Sequence, residues 1–189
     1  MYRVNEIFYS LQGEGKNTGK PAVFVRFSGC NLSCDFCDTD FRKYTEMSAE
    51  DIVHEVQKFP ANLVVLTGGE PALQVDKTLV DALHAVNKVL AIETNGTRLL
   101  PEGIDHVTVS PKESGKLALS NADEVKIVYT NQDVEKYRAW ISAPCYFLQP
   151  CSRIVDGKPV DNREEVIAYI LKHPEWQLSL QTHKILNIR

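Results

Sequence analysis

The sequence predicts a single-domain α/β fold, an abridged and open version of a TIM-like (β/α) barrel. Three observations predict it. Short runs of Val, Ile, Leu and Phe alternate with segments of helical period, the pattern of βαβ units and a mostly parallel sheet. At 189 residues the chain buries a real core, yet it falls well short of the ~250 residues of a complete eight-unit barrel. Polar motifs also recur where strands end, the functional face of parallel α/β architecture.

The elements follow in order. Residues 22–28 (AVFVRFS) read as a strand. Ser48 offers a helix N-cap with Asp51 three residues on, close to a capping box. Ile52, Val53, Val56 and Phe59 then follow at helical spacing until Pro60. Residues 63–66 form a continuous apolar run, as in a strand buried on both faces. Leu79, Val80, Leu83 and Val86 mark a second helix, and residues 89–93 a third strand. Residues 107–109, 125–129 and 146–148 are further strands. Asn162 is expected to cap a helix carrying Val166, Ile167, Ile170 and Leu171, ended near Pro174, before a last strand at 177–181. The connection holding Gly96, Pro101 and Gly103 and the one at 112–123 leave little room for crossover helices. Five motifs close these strands: Cys30, Thr67-Gly68-Gly69-Glu70-Pro71, Thr94-Asn95-Gly96, Ser110-Pro111-Lys112 and Gln149-Pro150. Their common position argues for one shared pocket.

The net charge of −4, with both signs interspersed, argues against a nucleic-acid backbone as partner, which clustered Lys and Arg would serve. No apolar run is long enough to span a bilayer, and the N-terminus lacks a secretory pattern. A cytoplasmic protein with no membrane or nucleic-acid partner is expected. The five cysteines are odd in number and three crowd together, unlike a disulfide framework. In a reducing compartment such crowding suggests metal or redox chemistry.

Cys30, Cys34 and Cys37 fall within eight residues. A closed structural zinc site would need a fourth ligand, with His54, Cys145 or Cys151 as candidates. A four-iron cluster is usually held by four thiolates, so three local ones would leave one iron open to an outside ligand. The spacing alone leaves zinc and cluster open.

The C-x3-C-x2-C spacing, with Phe36 before the last cysteine, and the run Gly68-Gly69-Glu70-Pro71 resemble the radical S-adenosylmethionine (SAM) superfamily. The resemblance implies a [4Fe-4S] cluster and a barrel of the radical SAM type over residues 1–189. It implies an open iron that chelates SAM, which is cleaved to methionine and a 5′-deoxyadenosyl radical. Further motifs resemble the 7-carboxy-7-deazaguanine synthases. These are Phe8-Tyr9-Ser10-Leu11-Gln12-Gly13-Glu14-Gly15, Arg26, Cys37-Asp38-Thr39, Thr67, Ser110-Pro111-Lys112, Gln149-Pro150 and Thr182-His183-Lys184. That resemblance spans essentially the whole chain. It implies a lyase that contracts 6-carboxy-5,6,7,8-tetrahydropterin to 7-carboxy-7-deazaguanine with loss of ammonia, in queuosine and 7-deazapurine synthesis. A homodimer, Mg2+ and an electron donor such as flavodoxin or ferredoxin are implied with it.

The resemblance also assigns roles. Cys30, Cys34 and Cys37 would hold the cluster and Thr39 the Mg2+, a hard ion that prefers oxygen. Leu11, Gln12, Gly13, Glu14, Thr67 and His183 would line the pterin. Arg26 would pair the substrate carboxylate, and the terminal carboxylate of Arg189 would also contact the substrate. Phe36, Gly69, Glu70, Ser110, Pro111 and Lys112 would contact SAM, with Gln149, Pro150, Cys151 and Ser152. No side chain is expected to be catalytic itself, since the SAM-derived radical carries the chemistry.

Taken singly, each of these residues has a plainer reading. Gly68 and Gly69 would make any tight turn, Glu14 a solvated loop residue, and Arg26 an outward strand residue. His183 would be structural and Thr39 an ordinary turn threonine. The runner-up functions are a glycyl-radical activating enzyme and a zinc-binding interaction module.

Overall fold

The computed structural model describes residues 1–37, 43–155 and 158–189. The chain opens with β1 (Tyr2–Leu11), antiparallel to β2 (Pro21–Phe27), and a short β3 (Thr45–Met47) flanks β1 on its other side. Two βαβ units follow: α1 (Ala49–Gln57) leads to β4 (Leu63–Gly68), and α2 (Lys77–Ala85) to β5 (Val89–Thr94). β6 (His106–Val109) and β7 (Glu124–Tyr129) come next, with no α-helix described on either connection. Those are the two connections whose length argues against crossovers. α3 (Glu135–Trp140) precedes β8 (Tyr146–Pro150), and β9 (Ser152–Val155) pairs with β10 (Lys158–Asp161) as a hairpin. α4 (Arg163–Ile170), β11 (Trp176–Leu178) and α5 (Thr182–Leu186) complete the chain.

The main sheet runs β11-β8-β7-β6-β5-β4-β2-β1-β3, parallel from β11 through β2 and open at both ends. This is the abridged, mostly parallel architecture that the alternating elements predict.

Side-chain alternation gives the sheet two faces. Val23, Val25, Phe27, Val64, Leu66, Leu90 and Ile92 point outward and are buried against Ile52 and Val56 of α1 and Leu79, Val80 and Leu83 of α2. The two helices are well started. Ser48 accepts from the Asp51 amide while Asp51 accepts from that of Ser48, and Asp76 accepts from the Leu79 amide. The inner face is graded along the strands. Phe8, Ala22, Phe24, Val65 and Ala91 form an apolar plug. Two residues further toward the carboxyl ends, Phe24 gives way to Arg26, Val65 to Thr67 and Ala91 to Glu93. The plug fills the barrel floor and the polar layer above it forms the site.

Several expectations need correction. β1 has no counterpart in the sequence reading: its register shifts between Val4 and Glu6, which breaks the period of two. β3, the β9–β10 hairpin, α3 and α5 are also additional; each spans six residues or fewer, so little periodicity is available. Asn162 occupies the N-cap position but makes no capping bond. Its side chain instead accepts from the Cys151 amide and donates to the Tyr129 carbonyl, tying the start of α4 to the ends of β7 and β8. The last strand is Trp176–Leu178 rather than 177–181, because the chain then turns into the barrel mouth. There Ser179 and Gln181 bond the loop after β1.

Candidate functional site

Two cavities open at the carboxyl ends of the strands. One, of about 380 Å³, is lined by β1, the loop after it and the chain terminus, including Glu6, Phe8, Leu11, Gln12, Gly13, Glu14, Arg26, Thr67, His183 and Arg189. The other, of about 560 Å³, is lined by Cys30, Cys34, Phe36, Cys37, Gly69, Asn95, Ser110, Lys112 and the 149–152 stretch. Glu14, Thr67, Gly68, Glu93 and Gln181 line both, so the cavities share a wall.

The cysteine loop lies directly on the turn after β4. The Gly69 amide donates to the Phe27 carbonyl and the Glu70 amide to that of Gly29. A Cβ at Gly69 would fall 2.1 Å from the Gly29 carbonyl oxygen and 3.0 Å from Cys30 Cβ. Gly68 has φ +134, and a Cβ there would stand 2.1 Å from the Phe27 oxygen. Both glycines are therefore required by close backbone approach, beyond any need for a turn. Glu70 is fully buried, and its carboxylate accepts from Thr94 Oγ1 at 2.6 Å and from the Asn95 and Ala72 amides at 2.6 and 3.0 Å. It locks the end of β4 to the end of β5. Asn95 in turn donates to Asn31 Oδ1 at 3.0 Å, so the lock extends to the cysteine loop.

Arg26 points inward, unlike the plain strand reading. Its Nε donates to Glu6 Oε1 at 2.9 Å, and its guanidinium lies 5.7 Å from the centre of the Phe8 ring. Arg189 reaches the same place through its side chain, bonding Glu6 and lying 4.9 Å over Phe8. His183 packs against Gly13, where a Cβ would come within 2.2 Å of His183 Nδ1.

Between the cavities sits a buried charge cluster. Lys126 Nζ, on β7, donates to Glu14 Oε2 at 2.7 Å and to Glu93 Oε2 at 2.8 Å. The second Glu14 oxygen accepts from Gln181 and that of Glu93 from Gln12, at 2.9 and 3.2 Å. Burial opposes ionisation of Glu14, but Lys126 and the hydrogen bonds win and hold its carboxyl down to about 2. Glu93 moves the other way, because burial and the neighbouring Glu14 outweigh Lys126. Burial depresses Lys112, whose ammonium donates to the carbonyl and hydroxyl of Ser110.

Comparison with known proteins decides the family. A model described as the Radical SAM superfamily matches residues 24–127. A 7-carboxy-7-deazaguanine synthase of Bacteroides thetaiotaomicron is 53% identical over 189 residues, covering 100% of both chains. One of Nitratidesulfovibrio vulgaris is 44% identical over 214 positions, covering 99% of each. This chain belongs to the 7-carboxy-7-deazaguanine synthase family of radical SAM enzymes. The crystal structure of QueE from Escherichia coli superposes with a TM-score of 0.77 at 30% identity, over 95% of this chain and 93% of that one.

Within this 7-carboxy-7-deazaguanine synthase fold, the residues suit a cluster better than a closed zinc site. Cys30, Cys34 and Cys37 all line the larger cavity. Among the suggested fourth zinc ligands, His54 is 76% exposed on α1, outside the barrel. Cys145 lies at the amino end of β8, the wrong end of the sheet. Cys151 lines the cavity, but it follows β8, the fifth strand along the sheet from β2. Three soft donors on one loop, at the rim of a cavity, fit a cluster with an open corner.

The structure brings every nominated pterin residue to the smaller cavity. Of the nominated SAM residues, Phe36, Gly69, Ser110, Lys112 and the Gln149, Pro150, Cys151 and Ser152 stretch line the larger one. Glu70 and Pro111 do not line it; the Glu70 carboxylate is already taken up by its own chain. Thr39 lies outside the described residues. Sequence reasoning missed Lys126, Glu93, Gln181 and Glu6. The available signal was Lys126 itself, a charge in the middle of an otherwise apolar run, and Glu93 at the end of another.

Proposed function

We propose that this chain converts 6-carboxy-5,6,7,8-tetrahydropterin to 7-carboxy-7-deazaguanine and ammonia, the ring contraction that serves queuosine synthesis. The observation that carries the reading is the pair of cavities sharing one wall, one built for an acid and the other rimmed by three thiols. Cys30, Cys34 and Cys37 would hold the cluster, and Lys112, Ser110 and the 149–152 stretch would face SAM beside it. The cluster and SAM together supply a carbon-centred radical that removes a substrate hydrogen.

The chain's own residues bind and orient the pterin. Glu6 engages Nε of Arg26, which leaves the end of the guanidinium fork for the substrate carboxylate. Gln12 and Glu14 offer the mixed amide and carboxylate groups that a pterin edge of donors and acceptors requires. Thr67 sits in the shared wall, where substrate and SAM would meet. His183 closes the side of the cavity against Gly13. Together these contacts hold the reacting carbon in place and keep water out.

The reading extends to Mg2+ held through Thr39, a flavodoxin or ferredoxin as electron donor, a homodimer, and a cytoplasmic setting. No helix among the described residues is long and apolar enough to cross a membrane.

The test is anaerobic reconstitution with iron and sulfide, then incubation with SAM, reductant and the carboxytetrahydropterin. Mass spectrometry should find 7-carboxy-7-deazaguanine, with SAM recovered intact. Protein that carries its full complement of iron and still forms no deazaguanine defeats the assignment.

A further inference from the structure

The wall between the two cavities contains a cation that the functional reading does not use. Lys126 projects from the middle of β7 with its side chain 5% exposed. Its ammonium binds one oxygen of Glu14 and one of Glu93. Glu14 comes from the loop after β1 and Glu93 from the end of β5. Those two elements do not neighbour one another in the sheet, and the lysine anchors both, beside the direct bond from Gln12 to Glu93. Among the described residues, the remaining oxygen of each carboxylate is bonded by a single amide, Gln181 or Gln12, and an acceptor with two lone pairs can take one more donor.

We infer that Lys126 is a positioning residue for the pterin: it holds Glu14 and Glu93 side by side as acceptors for the N–H-rich edge of the substrate, at the boundary with the SAM cavity. The inference rests on the functional reading above. The lysine lines the SAM-side cavity but not the pterin cavity, and it acts on the pterin through the carboxylates. The geometry explains why Lys126, between the apolar Val125 and Ile127, carries a buried charge. A buried lysine is tolerated only when paired, and here the partners are both active-site acids.

Other charges around the cluster are accounted for. Glu124, on the same strand, is spoken for by Thr108, His106 and the Lys16 amide. His183 faces Glu14 and helps to hold it ionised, and Lys112 lies on the SAM side. Burial opposes ionisation of both carboxylates but prevails only at Glu93, so Glu93 is the one that protonates first as pH falls. Removing Lys126 removes the attraction that opposes this, so its protonation moves to higher pH.

The test uses the reconstituted holoenzyme with Lys126→Met and with Lys126→Met/Glu93→Gln. The double variant keeps the cluster's formal charge at −1 and so guards against misfolding of the single one. Wild type, Lys126→Met and the double variant are compared for deazaguanine formation, for the KM of the carboxypterin and for SAM affinity by titration. The expected result for Lys126→Met is a pterin KM raised at least tenfold, SAM affinity within twofold of wild type, and an acid limb of kcat/KM moved up by a pH unit or more. The double variant should keep the high KM and lose that limb. If Lys126→Met will not fold, the double variant is compared with Glu93→Gln alone, and a pterin KM no higher than that of Glu93→Gln overturns the inference. An unchanged pterin KM, an equal loss of both ligands, or an unmoved acid limb overturns the inference while leaving the functional reading intact. A wild type that makes no deazaguanine overturns both.

Discussion

Gly69 shows at the scale of one residue how the site constrains the sequence. Its missing Cβ is what allows the Gly29 carbonyl and Cys30 to lie on the β4 turn. Gly69→Ala places a carbon 2.1 Å from a backbone oxygen, and backbone cannot yield as a flexible side chain can. The cysteine loop must therefore shift. The expected outcome is iron incorporation below half that of wild type, measured as iron per chain after reconstitution. The outward core of β2 and β4 lies on the other side of the sheet, so the thermal transition should remain cooperative. Wild-type iron content in this variant would show that the loop has slack that the structure lacks. The cysteines and the glycines were legible because their chemistry and spacing are local. Lys126, Glu93 and Gln181 were not, because their meeting joins three segments remote in sequence.

Among the elements, the strand ends are tied to one another by Glu70. Its carboxylate takes up Thr94, Asn95 and Ala72, and Asn95 passes the constraint to Asn31 on the cysteine loop. Glu70→Ala leaves the buried Asn95 amide and the part-buried Ala72 amide without their acceptor, at a cost of about 2–4 kcal/mol. The expected outcome is a lowered unfolding midpoint together with weaker SAM binding, read by denaturation and by titration, and less effect on the pterin. Pterin binding lost as strongly as SAM binding would place Glu70 outside this lock. Elements read well where burial is two-sided: β2, β4 and β5 are nearly continuous apolar runs flanked by amphipathic α1 and α2. β1 reads poorly because its register shifts between Val4 and Glu6 and because Glu6 faces the cavity rather than a core. α3 reads poorly because six residues, started by Val134 with no side-chain cap, give no periodic signal.

Taken whole, the molecule is a sheet that never closes, and the chain's two ends cover the gap. The loop after β1 and the segment after β11 meet across the barrel mouth. The Thr182 amide donates to the Gly13 carbonyl at 3.0 Å, the Gly15 amide to Ser179 Oγ at 3.0 Å, and Gln181 to Glu14 at 2.9 Å. Ser10 Oγ then reaches the Arg189 carbonyl at 2.5 Å. These bonds replace the strand pairing that a closed barrel would supply, and they leave β1 and β2 free to keep their antiparallel register. Two core clusters hold the sheet without the tail: α5 contributes no buried residue to either. Deleting residues 182–189 should therefore spare the fold and open the pterin cavity. The lost tail bonds, each worth about 1 kcal/mol, together with the loss of His183 and Arg189, should raise the pterin KM on the order of a hundredfold. SAM affinity should change far less, since only Lys184 of the tail lines that cavity. The measurement is a pair of binding titrations with a circular dichroism melt as the control on folding. A truncated enzyme that keeps its pterin affinity would mean that the tail only covers the site, and that Gln12, Glu14 and Arg26 hold the substrate unaided.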